Sequence, residues 1–174
     1  MKGLIVKLSL AFGLVLIIST KTPSDSNPQI RVLIGTAHQQ VMIEGDALKL
    51  YASGKKISAS GKIQIEIRNN KLWAKEKKLG EELKITSSSP IGVNGSLYRG
   101  EIWIKESQGD FLIINHLRVE DYLAGVVKNE MNPKWHLEAL KAQTVLARTY
   151  ALAKLNQPRS RDYDLVATVE DQVY

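Results

Sequence analysis

The feature that most constrains the fold is a change of period near residue 115. From Ile30 to Ile114 the apolar residues come in short alternating runs, and beyond that they recur every three to four positions. The runs RVLIG (31–35), QVMIEG (40–45), ALKLYA (47–52), KIQIEI (62–67), ELKITS (82–87), SLYRGEIWIKE (96–106) and DFLIIN (110–115) read as strands. In KIQIEI, Ile63, Ile65 and Ile67 share one face, while Gln64 and Glu66 share the other. Ile102 and Ile104 oppose Trp103 in the same way. Ser53-Gly54, Ser60-Gly61, Asn69-Asn70, Asn94-Gly95 and Gln108-Gly109 are turn signals between the runs, and Asn94-Gly95 is the strongest hairpin candidate. This half reads as a small antiparallel sheet or partly closed barrel.

Residues 115–155 carry the helix signals. Val119, Leu123, Val126 and Val127 keep helical spacing through a first helix over 120–127. Asn132-Pro133 offers an N-cap followed by proline at the first helical position, so a second helix is expected from Pro133 to about Leu155. Its stripe is Leu137, Leu140, Thr144, Ala147, Ala151 and Leu155. Ala, Leu, Lys, Gln and Arg dominate it, all good helix formers. The fold class expected is α+β: a small antiparallel strand-rich region followed by two helices, the second long and central.

Composition removes several classes of function. With 44 % apolar and 24 % charged residues the chain is globular rather than disordered. The absence of cysteine excludes disulfides, thiol catalysis and thiolate metal sites. The net charge of +6 is partly that of Lys2, Lys7 and Lys21, which leaves about +3 for the rest. The densest basic stretch, KLWAKEKKLGEELK (71–84), is broken by glutamates and reads as a solvated turn or strand edge, so no nucleic-acid partner is expected. No phosphate-cradling glycine motif is present, and no nucleotide cofactor is expected. His38, His116 and His136 are widely spaced with no H-E-x-x-H pattern, and no metal site is expected.

The first residues have an export character. Lys2 and Lys7 precede an apolar run from Leu8 to Ile18, short for a membrane span of about 20 residues. Residues 1–20 read as a signal peptide or an N-terminal membrane anchor, 21–29 as a polar tether, and 30–174 as the exported domain.

Among groups able to do chemistry, Glu130 stands out. Val126, Val127, Met131 and Trp135 surround it in sequence, at the junction between two helices. A carboxyl in apolar company keeps its proton longer, as a general acid requires; a surface or capping role is the alternative. Glu120 and Asp121 suit the N-terminus of a helix. Arg148, near the apolar stripe, needs an anion, with Glu130, Glu120 or a substrate as candidates, unless it simply covers the helix flank. Tyr122 and Tyr150 could be packing residues with bonded hydroxyls. RDYDLVATVEDQVY, at the end of the sequence, reads as a strand or loop awaiting a partner.

These residues resemble the stage II sporulation protein D (SpoIID) family, whose relatives include the amidase enhancer LytB. The resemblance rests on Tyr98-Arg99-Gly100, FLIINHLRVEDYLAGVVKNEM (111–131), LEALKAQTVLARTYAL (137–152) and Glu170-Asp171-Gln172-Val173-Tyr174. It implies a lytic transglycosylase of peptidoglycan acting on glycan strands freed of stem peptides, with Glu130 as the acid and Arg148 in the same cleft. Such a reaction needs no enzyme nucleophile, because the C6 hydroxyl of the sugar attacks C1 and gives a 1,6-anhydro product; one glutamate serves as acid and then base. Tyr122, Trp135 and Tyr150 become candidate sugar-binding residues. Family members continue beyond the D-Q-V-Y motif, so 30–174 corresponds to the N-terminal and central part of the domain, truncated at its C-terminal end. The other implied roles are a wall-binding module that enhances an N-acetylmuramoyl-L-alanine amidase and an inactive truncated form.

Overall fold

The computed structural model describes residues 28–132 and 134–174; the apolar leader and nearly all of the tether lie outside the described residues. Among the described residues ten strands precede the first helix: β1 Gln29–Ala37, β2 Gln40–Ala52, β3 Lys55–Arg68, β4 Lys71–Ala74, β5 Lys77–Gly80, β6 Glu82–Thr86, β7 Ile91–Val93, β8 Ser96–Tyr98, β9 Glu101–Ser107 and β10 Asp110–Arg118. Helices α1 (Val119–Glu130) and α2 (Leu137–Asn156) follow, then the short strand β11 (Leu165–Val166).

This overturns the expected fold class. The strands form one large mixed sheet rather than a small antiparallel region, in the order β11-β1-β10-β9-β6-β2-β3-β4-β5, with β7 and β8 attached through β2. β11 lies parallel to β1, and the other pairings are antiparallel. The sheet was underestimated because its strands change face midway. Val41 and Ile43 of β2 point into the core on odd positions, and Leu48, Leu50 and Ala52 on even ones. A bulge between Gly45 and Leu48, with Ala47 at φ 52°, inserts the residue that flips the alternation. Two expected runs are therefore one strand. The stretch 71–84 holds β4, β5 and part of β6, and buries Leu72, Leu79 and Leu83 beneath its lysines.

The sheet curls on itself. Leu72 and Leu79 at one end of the strand order share a cluster with Ile104 and Phe111 near the other. A second core lies where β1 and β10 meet the helices, built from Ile30, Val32, Leu117, Tyr122, Leu123, Val126, Ala147, Ala151 and Leu165. Again a bulge makes this possible. β1 sends Ile30 and Val32 into the helical core and, past the irregularity between Leu33 and Gly35, Ala37 into the sheet core.

The second helix is long but not central. Of its expected stripe Ala147 and Ala151 are buried, whereas Leu137 is 60 % exposed. Small residues face α1, and Val145, Leu146 and Leu152 face outward. It also starts later than expected. His136 is its N-cap, accepting at Nδ1 from the Glu138 N–H (3.3 Å), because Asn132 is engaged in a turn of its own. Among the described residues no helix is long and apolar enough to cross a membrane.

Candidate functional site

Glu130 is the last residue of α1. The Met131 N–H closes that helix on the Val127 carbonyl at 3.1 Å. Asn132 then makes the reversing turn, its Oδ1 accepting from the Lys134 N–H and its carbonyl from the Trp135 N–H, both at 3.0 Å. Glu130 is thus left at the mouth of the two-helix hairpin. Its Oε2 accepts from Gln143 Nε2 of α2 at 2.9 Å, and its Oε1 accepts from the Val173 N–H at 3.1 Å. The expected apolar enclosure is not there, because the side chain is exposed. Val126 turns into the core, Met131 is half-buried and Trp135 is 56 % exposed. Neighbours in sequence at a helix end diverge in space.

The segment expected to await a partner has one. Residues 164–174 form a strap that crosses β1 and both helices. Asp164, buried, accepts from the Arg31 N–H (2.8 Å) and guanidinium (2.5 Å). Asp171, its side chain 0 % exposed, accepts from the Val166 N–H (2.8 Å) and Tyr150 hydroxyl (2.5 Å), and pairs with Lys154 (2.9 Å) and Arg159 (3.3 Å). Burial pushes the Asp171 carboxyl up, but hydrogen bonds from Tyr150, Val166 and Lys154 outweigh it and hold it below the usual carboxylate range. Gln172 is buried and accepts from the Tyr122 hydroxyl at 3.0 Å. The Tyr174 ring lies on Gly125, where a Cβ would come within 2.5 Å of it, and its hydroxyl donates to Asn115 Oδ1 at 2.8 Å. Gly125 is there to let the ring approach.

The remaining sequence candidates divide. Tyr122 is fully buried with its hydroxyl committed to Gln172, so it is no exposed sugar platform. Burial first, then the negative charges of Glu130 and Asp171, push its phenol far above the ordinary value. Tyr150 is half-buried and spends its hydroxyl on Asp171. Trp135 stays accessible. Arg148 takes Glu120 of its three candidate partners, with Nε to Oε1 at 2.9 Å and NH2 to Oε2 at 2.7 Å. That fork holds the Glu120 carboxyl below its usual range. Gln143, Asn115, Gln172 and the Val173 amide went unnoticed as single residues, because amides carry no periodic signal.

The three histidines are dispersed. His38 pairs with Asp110 (2.8 Å), His116 with Glu101 (3.4 Å), and His136 caps α2. Among the described residues no group of three or more His, Asp or Glu side chains could hold a metal ion.

Comparison with known proteins places this arrangement. Residues 107–174, which take in β10, both helices and the strap, match the family described as SpoIID, stage II sporulation protein. An uncharacterised protein of Brachyspira hyodysenteriae is 34 % identical over 122 residues, covering 68 % of this chain and 33 % of the relative. The amidase enhancer of Bacillus subtilis is 37 % identical over 97 residues, covering 55 % of this chain and 13 % of the relative. The chain thus spans a third or less of the length of these relatives. No solved structure is significantly similar to it. Residues 107–174, which contain Glu130, Gln143, Arg148 and Val173, carry the likeness to the SpoIID family.

Proposed function

We propose that the chain is an extracytoplasmic module acting on peptidoglycan, and that Glu130 cleaves its glycan strands by lytic transglycosylation. The observation that carries this reading is the setting of Glu130. It is open to a ligand, yet each carboxyl oxygen holds one donor, Gln143 Nε2 or the Val173 N–H, which fixes the plane of the group. A carboxyl aimed in this way can serve a proton transfer that depends on position. In its acid form Glu130 gives its proton to the departing O4 as the C1–O4 bond breaks. The C6 hydroxyl of the same sugar bonds to C1, and the carboxylate takes the hydroxyl proton. The products are a 1,6-anhydro end and a new 4-hydroxyl end, and no water is consumed. Trp135, exposed just beyond the turn, is the aromatic surface available to a sugar ring. Arg148 acts through Glu120, by holding α2 against α1. The strand-rich residues 30–106 are part of the same domain, exported by the leader.

Peptide-free glycan incubated with the full chain is expected to gain anhydromuramic ends, and Glu130→Gln to lose them. Chromatography of the reduced products checks this, and ends that survive the substitution would sink the assignment. A second reading is a non-catalytic module that enhances an amidase. It is supported by the relative's name and by the outward face of α2, where Leu146 is 65 % and Val145 57 % exposed. Amidase turnover that rises equally with Glu130→Gln and the unaltered chain would favour it.

A further inference from the structure

The wall of the curled sheet is left open beside β3. That strand pairs with β2 over residues 55–66, but with β4 only from Ile65 to Arg68. Beyond Ala74 the chain turns back into β5, so residues 55–64 have no strand on their second side. In an antiparallel ladder alternate residues turn their N–H and C=O groups away from a given neighbour, so this stretch offers unused ladder groups. A kink at Gly61 (φ 80°) divides the edge, and a Cβ there would meet nothing within 4 Å. A groove of about 630 Å³ runs along both parts of the edge.

The floor of this groove is apolar and its rim is basic. Ile57, Ala59 and Ile63, on odd positions of β3, are half-buried and pack on the sheet core beside Leu50. Lys62, Lys75 and Lys77 stand around them. Lys75 and Lys77 make no ion pair among the described residues, and Lys62 reaches Glu44 only at 3.7 Å with both ends exposed. Glu66, the acid in the lining, is taken by Arg68 at 2.5 Å. Residues 55–78 hold eight Lys and Arg against two Glu, whereas the rest of 28–174 holds thirteen basic residues against fifteen acidic ones. The positive charge of the described chain is thus gathered at this edge.

A free polyanion would use the lysines but neither the apolar floor nor the ladder groups. A second copy of this chain would set like charges against each other across the edge. We propose that the open edge of β3 binds an acidic peptide segment in extended conformation. The segment adds a strand beside residues 55–64, lays alternate apolar side chains over Ile57, Ala59 and Ile63, and turns its carboxylates toward Lys62, Lys75 and Lys77. The lysines that bar self-pairing of the edge are those that admit an acidic strand. The site lies outside residues 107–174 and is independent of the reaction proposed for Glu130.

Short blocked peptides of equal length, titrated into the full chain and followed by fluorescence anisotropy, test this. One alternates Glu with Val, another alternates Lys with Val, and a third is polyglutamate. The Glu–Val peptide is expected to bind at least about tenfold tighter than either of the others. Two further Glu–Val peptides carry N-methyl groups, one on its Val nitrogens and one on its Glu nitrogens. Because one side of an added strand faces β3, one of these two should lose about tenfold in affinity and the other should keep it. Amide exchange in the complex should slow within 55–64 and stay unchanged in β9 and β10. Lys62→Glu combined with Lys77→Glu, at two exposed side chains, should reverse the preference in favour of the Lys–Val peptide. If that chain melts early, Lys62→Gln with Lys77→Gln takes its place and should weaken the Glu–Val peptide alone. No binding, equal binding of polyglutamate, any other outcome with the N-methylated pair, slowed exchange elsewhere or a preference that the substitutions leave in place overturns the proposal. A dimer whose formation protects 55–64 overturns it as well.

Discussion

Single residues carry more of this site than their chemistry advertises. Gly125 is an apparent weak point in a helix, yet its missing Cβ is the space in which the Tyr174 ring sits. Alanine there gains about 0.5–1 kcal/mol of helix preference. It forces the ring off its seat at a cost of about 1–3 kcal/mol. The clash should win, so Gly125→Ala is expected to lower the melting temperature and alter the near-ultraviolet signal of Tyr174. Trp73 makes the opposite case. Its indole N–H is buried with no partner among the described residues, so the side chain is held by packing and by Arg68 over its ring at 5.8 Å. Trp73→Phe removes an unsatisfied donor, and equilibrium unfolding should show a loss within about 1 kcal/mol. The place of Glu130 at a helix end was legible in the sequence. Its exposure was not, because apolar letters on either side of a helix end do not say where the chain turns next.

At the scale of elements, the strap is the least expected part. Its letters alternate poorly and pair with nothing nearby, since its partners are β1 and the two helices. Asp171 is the buried anion that ties it down, with a folded-state value below the usual one. A group depressed in this way stabilises the fold above its unfolded value near pH 4, and that contribution fades as pH falls through the folded value. The strap should therefore loosen in acid before the sheet does. Amide exchange at Val166 and Val173 would show it, if protection there falls while that of β9 and β10 persists. Asp171→Asn should remove that acid dependence and cost about 2 kcal/mol at neutral pH. The positions of most strands and of both helices could be read from their periods. The union of two runs into β2, and the strands within 71–84, could not, because a bulge reverses the alternation and lysines dilute it.

At the scale of the whole molecule, stability and accessible surface are separated. The curled sheet holds the larger core, and α2 rides outside on Ala147 and Ala151. Ile104→Ala, at a site with 0 % exposure, should cost about 2–5 kcal/mol in chemical unfolding. Leu146→Ala on the outer face should stay within about 0.5 kcal/mol. Helix propensity along α2 announced a helix of the right length but was silent about which side would be covered. The junction of β1 with β11 has a temporal side as well. Arg31 finds Asp164 across 133 positions of chain. At ribosomal speeds that gap is on the order of ten seconds. The earliest described strand to leave the ribosome is among the last to gain both neighbours, and until then its bare edge is the nascent protein's opening for aggregation or for a chaperone.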